Sequence, residues 1–116
     1  MAQPKKTKKN DSLFSRAIPM AGLVEVAPDA VVSRTVITKK AGTVTLFAFD
    51  KGQGLSTHSA PYDAMVWILD GAVKITIGGK SLSAKPGDMV IMPANIPHAL
   101  DATQPFKMAL VMIKEQ

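Results

Sequence analysis

From Leu13 on, the pattern of apolar and polar residues reads as short strands separated by turn signals, with the cleanest period-two alternation near the middle of the chain. In 72–77 (AVKITI), Val73, Ile75 and Ile77 share one side while Lys74 and Thr76 share the other. That is the pattern of a half-buried antiparallel strand. Gly78-Gly79 follows, a dipeptide able to take the positive φ angles of a tight hairpin turn, so 80–84 (KSLSA) is expected to pair back. Two runs rich in β-branched and aromatic residues, 31–40 (VVSRTVITKK) and 43–49 (TVTLFAF), flank Ala41-Gly42 and predict another pair of strands. Further strands are predicted at 64–69 (AMVWIL), closed by Asp70-Gly71, and at 89–92 (MVIM), after Pro86-Gly87-Asp88. A kinked connector (PANIP, 93–97) leads to 98–102 (HALDA), and 106–114 (FKMALVMIK) is the last strand. The stretch 57–65 (THSAPYDAM) reads as a turn-rich approach to the strand that follows it. Nothing of useful length has helical periodicity. Many short strands punctuated by Gly and Pro predict an all-β sandwich or barrel.

The last strand departs from the alternation. Met108, Leu110 and Met112 interleave with Ala109, Val111 and Ile113, so both of its faces are apolar. Such a strand must be covered twice, by the core on one side and by another sheet or another subunit on the other.

Composition narrows the class. At 116 residues the chain fits one domain, and 47% hydrophobic with 20% charged residues is the balance of a folded protein. The absence of Cys excludes disulfides, thiolate nucleophiles and Cys-ligated zinc or iron–sulfur centres. No apolar run approaches a membrane span, and the N-terminus lacks the apolar stretch of a secretory signal, so a membrane partner is not expected and the cytoplasm is the default location. The net charge of +5 is concentrated in Lys5, Lys6, Lys8 and Lys9, leaving the remainder almost neutral. Residues 1–12 are therefore read as a basic, flexible tail and 13–116 as the folded domain. A basic face with interleaved aromatics is missing, which argues against nucleic acid as a partner.

Two histidines, His58 and His98, carry most of the chemistry available. Each stands at the mouth of a predicted strand beside a Pro-containing turn, and a closed sheet can bring them together. They suit metal ligation, polar contact with the carboxylate or hydroxyl of a ligand, general-base catalysis, or a purely structural anchor near Pro97. Trp67, with Met65, Met89, Met92, Met108 and Met112, supplies an adaptable apolar filling. Trp67 and Met65 are the candidates from this set for lining a ligand pocket, the alternative being core or interface.

The segments GQGLSTHSAPYDAMVWILDG and GDMVIMPANIPHALDA together resemble the two signature motifs of the cupin superfamily. Gly52, His58 and Gly71 follow the first motif, and Gly87, Pro93 and His98 the second. Ala60 stands where the family has a second His, Ala64 where it has Glu, Asn95 in place of a Gly and Ala102 in place of the final Asn. Asp63 neighbours the Glu position but needs a bulge to face inward, and Gln53 has no supporting spacing. The resemblance implies a small antiparallel jelly-roll β-barrel with the N-terminal segment packed outside it. It also implies homodimers, which the doubly apolar last strand independently favours. Family members hold a divalent transition metal with three His and one Glu. Here His58 and His98 remain of that set, short of the three protein ligands usual in a catalytic site. Two functions follow. One is a cupin that binds a small organic ligand, with His58 and His98 as polar contacts and at most a weak metal site. The other is a metal-dependent oxygenase or isomerase acting on a small organic acid or sugar derivative.

Overall fold

The computed structural model describes residues 13–114. The basic segment assigned to residues 1–12 lies outside them. Among the described residues a short 3-10 turn, Met20–Leu23, precedes nine strands: β1 (Val31–Lys39), β2 (Gly42–Phe49), β3 (Gly54–His58), β4 (Ala64–Asp70), β5 (Val73–Ile77), β6 (Lys80–Ala84), β7 (Met89–Met92), β8 (His98–Ala102) and β9 (Phe106–Ile113). Every pairing is antiparallel, in a five-stranded sheet ordered β1-β2-β9-β4-β7 and a four-stranded sheet ordered β3-β8-β5-β6. The chain is an all-β jelly-roll barrel. Among the described residues no helix is long and apolar enough to cross a membrane.

Eight strands fall where residue type, alternation and turn signals together place them. The Gly78-Gly79 hairpin forms as expected, with φ of 58° and 85° and Ile77 opposite Lys80. The ninth, β3, was not expected. It lies at the edge of the smaller sheet, its last three residues are exposed, and it pairs only with β8 through an irregular register. With one apolar side chain, Leu55, it has no alternation to read. His58 therefore ends a strand of its own.

The inner faces of the two sheets form one core, including Phe49, Val66, Ile68, Ile75, Leu100, Phe106 and Met108. Phe49 and Phe106 stack with centroids 4.5 Å apart and planes 8° from parallel. A second cluster lies outside the larger sheet. There Val24, with Met20, Leu23 and Val26, covers Leu46, Ala48 and Ala109. Lys107 secures this segment by donating to the Ala21 carbonyl at 2.8 Å. The outer side of β9 is thus covered at Ala109 by the chain's own N-terminal segment, where the sequence suggested a sheet or a second subunit. Farther along β9, Ile113 remains 63% exposed.

Candidate functional site

The register that builds the smaller sheet sets His58 directly opposite His98 on adjacent strands. Their rings meet edge-to-face with centroids 4.5 Å apart. His58 is exposed at the end of its edge strand, whereas His98 is 5% exposed. His58 Nδ1 lies 2.8 Å from the Ser56 carbonyl oxygen and His98 Nδ1 lies 3.2 Å from that of Ile96. A carbonyl oxygen only accepts, so the proton of each neutral ring belongs on Nδ1 and the lone pair on Nε2. Burial, followed by the nearby His58, holds His98 below the ordinary histidine range against an opposing hydrogen bond to Ile96. His98 is accordingly neutral at pH 7 and presents Nε2 as an acceptor.

Both imidazoles line a cavity of about 50 Å3 inside the barrel. The smaller sheet contributes Leu55, His58, His98 and Leu100, and the larger contributes Ala64, Met92, Met108, Leu110 and Met112. Ala60 closes the rim. The connector before β8 is tied to that rim by the Asn95 amide, which donates to the Ala60 carbonyl at 2.7 Å. Asn95 has a φ of 65°, a left-handed conformation that Asn tolerates better than other residues with a Cβ. Its presence at a position the cupin motif gives to Gly is thereby explained. A larger cleft of about 460 Å3 lies under the N-terminal segment, lined by Leu13, Phe14, Arg16 and apolar neighbours, but it contains neither histidine.

The remaining sequence candidates lie elsewhere. Met65 and Trp67 occupy the alternate positions of β4, between the inward Ala64, Val66 and Ile68. They point to the outside of the larger sheet, and Trp67 is 43% exposed. The structure does not bring either of them to the histidine cavity. Asp63 also lies outside it: its Oδ1 accepts from the Ala94 amide at 2.9 Å. Gln53 is engaged through its backbone at the far end of β8, with Ala102. Residue type alone does not separate the three methionines that do face the histidines, Met92, Met108 and Met112, from Met65 and Met89.

These placements test the fit of a divalent metal of the kind the cupin motif implies. Among the described residues no three of His, Cys, Asp and Glu gather in one place. The positions of the missing ligands are Ala60 and Ala64, both on the cavity wall, and the nearest carboxylate in sequence is held by a backbone amide outside it. Two neutral imidazoles without an anionic partner do not match the family's ligand set.

One consequence concerns acid stability. The folded chain depresses the His98 pKa from its ordinary value of 6.5, so the unfolded chain binds more protons as pH falls through that value. The contribution of neutral His98 is fully present above pH 6.5 and is lost below it, by at most about 1.4 kcal/mol per pH unit for one proton. Urea unfolding of metal-free protein from about pH 7.5 down to about pH 5 should show stability falling toward acid. His98→Gln should flatten that slope, and an unchanged slope would remove His98 as its source.

Comparison with known proteins agrees with the architecture. The model of the cupin domain family matches residues 45–114. A conserved protein of unknown function from Streptococcus pyogenes is 38% identical, with a TM-score of 0.85, covering 89% of this chain and 90% of that one. A cupin 2 conserved barrel domain protein from Leptotrichia buccalis is 40% identical with a TM-score of 0.78, covering 81% of this chain and 46% of that one. A cupin superfamily protein from Desulfitobacterium hafniense is 27% identical with a TM-score of 0.83, covering 87% and 93%. No curated protein matches. With motif spacing, strand order and these likenesses in agreement, the chain belongs to the cupin family.

Proposed function

We propose that this cupin binds a small organic ligand in the barrel, with His58 and His98 as its polar contacts, and that it does so without a divalent metal. The observation that supports this reading is the Nδ1 engagement of both rings, which leaves two Nε2 lone pairs beside an otherwise apolar cavity. Lone pairs that accept call for a ligand that donates, so a hydroxyl is a better match than an ionised carboxylate. The cavity, at about 50 Å3, is well below the ~300 Å3 that engulfs a drug-sized molecule. It suits the polar end of a ligand whose remainder lies at the mouth by His58.

The test uses protein purified in chelator and titrated with glycerol, lactate and a neutral monosaccharide, followed by amide and histidine-ring NMR. Saturable shifts at Leu55, His58, His98 and Leu100 are expected. His98→Ala should weaken binding about tenfold, the scale of one buried hydrogen bond. Absence of saturable binding across the set, or binding indifferent to both His58→Ala and His98→Ala, would count against the proposal. The enzyme reading makes a different forecast: near-stoichiometric divalent metal in the purified protein, lost in both variants.

We propose as well that a second copy of the chain covers the bare part of the larger sheet's outer face. Trp67, Met89, Ile91 and Ile113 are between 43% and 63% exposed there. Met65 lies opposite Ile91 and Val111, and Trp67 opposite Met89, so these side chains form adjoining rows.

A further inference from the structure

The histidine cavity contains a donor set that neither the cupin motif nor ligand binding through imidazole requires. Met92, Met108 and Met112 face it from the larger sheet, opposite His58 and His98 from the smaller. Met92 and Met112 both pair with Ala64, one on each side of it. The small side chain between them leaves open the position where the family's carboxylate would stand. Met92 is 3% exposed and Met108 is fully buried. Three of the chain's seven methionines are thus gathered at one cavity. Elsewhere the inward positions of the larger sheet are mostly branched or aromatic, as at Val66, Ile68, Phe47 and Phe49.

We propose that this cavity binds a soft monovalent cation of the Cu(I) class, held by the imidazole Nε2 atoms of His98 and His58 together with the thioether sulfurs of Met92, Met108 and Met112. The proposal rests on the reading of this cavity as a binding site and extends it to a second kind of ligand. Three features select the ion. Every donor is a neutral imidazole or a thioether, and thioethers favour Cu(I) over hard or borderline divalent ions. Among the described residues no anionic side chain lines the cavity, so a dication would remain uncompensated in apolar surroundings, a penalty that a single charge greatly reduces. Unbranched methionine side chains can turn their sulfurs toward an ion without moving the strands. His98 and the buried thioethers form the inner part of the set. His58, at the solvent edge, is the donor that can yield to an organic ligand.

Ag(I) is a redox-inert probe of the same class. It would be added to the full chain carrying 13C-methyl methionine, with the histidine ring signals followed in parallel. At one equivalent, the methyl signals of Met92, Met108 and Met112 and the ring signals of both histidines should move. Those of Met20, Met65 and Met89 should not. Met92→Leu and Met112→Leu preserve volume, so the barrel should fold normally. Each should weaken Ag(I) binding by about tenfold or more, the scale on which even supporting partners of a metal act. Anaerobic competition for Cu(I) against a chromophoric chelator should reproduce that order, and Zn(II) should leave the three methyl signals in place. Unchanged affinity in both Leu variants, shifts at Met65 or Met89 instead, or movement of the His58 ring alone would overturn the proposal. Binding of the organic probes by cation-free Met92→Leu protein separates the two readings. If it persists while Ag(I) binding follows the histidines alone, only the thioether site fails.

Discussion

Gly71→Ala is expected to destabilise the barrel by about 3–5 kcal/mol, a large share of the ~5–15 kcal/mol available to a domain of this size. Gly71 turns the chain from β4 into β5 with a φ of 76°, which already disfavours a residue with a Cβ. The added carbon would also collide with the Pro105 carbonyl oxygen and come within 2.7 Å of Phe106 Cα and Cβ. Neither obstacle is a flexible chain end. The first is backbone, and the second belongs to a residue 1% exposed and stacked on Phe49. Relieving the overlap would therefore displace the core stack. Gly87→Ala is the control: its φ is 93°, but nothing lies within 4 Å of the added carbon, so only the backbone cost of about 1–2 kcal/mol applies. Urea unfolding followed by circular dichroism measures both. Equal losses in the two variants would show that the Phe106 contact yields easily.

The spacing that exposes this glycine also explains why the barrel was legible in the sequence. Strands such as β5 bury Val73 and Ile75 and expose Lys74, and that contrast is written directly into residue type. Where burial is weak, the contrast disappears. Edge strand β3 is largely exposed and has Leu55 as its single apolar side chain, so its residues follow the choices of a loop even though their backbone pairs with β8.

The site was legible in part for a related reason. Motif spacing brings His58 and His98 together, and their opposed register confirms the meeting. Residue type misdirected the choice of companions. Trp67 and Met65 are attractive pocket residues by chemistry, yet the parity that turns Ala64 inward turns both of them outward. The same parity divides the methionines. Met92, Met108 and Met112 face the cavity, while Met89 is exposed on the other side of β7. Alternation along each strand separates these sets, but only once one residue's direction is known from the packed barrel.

The outward set carries the second large prediction. Ile91→Lys and Ile113→Lys should each raise the dissociation constant of the proposed dimer by at least about a hundredfold while leaving the fold intact, because each would bury an unpaired ammonium at the interface. Both positions are more than half exposed in the single chain, at 54% and 63%, so neither lysine meets the core. Trp67, Met89, Ile91, Ile113 and their half-buried neighbours Met65 and Val111 offer apolar surface on the order of 500 Å2, at the upper end of what a monomer exposes in one patch. A stable interface covers roughly 800 Å2 on each partner, so this patch would form its apolar centre and surrounding polar residues its rim. A second copy fits best because the six named side chains are all uncharged, giving an unlike partner no charge among them to match, and a two-fold axis sets apolar rows against themselves. Sedimentation across a dilution series measures the association, with Trp67 emission moving to longer wavelength as the dimer separates. Leu82→Lys, on the smaller sheet and 39% exposed, should leave association unchanged. A wild-type chain that is monomeric at every concentration, or a dimer weakened by Leu82→Lys and not by Ile91→Lys, would place the contact elsewhere and leave this face bare.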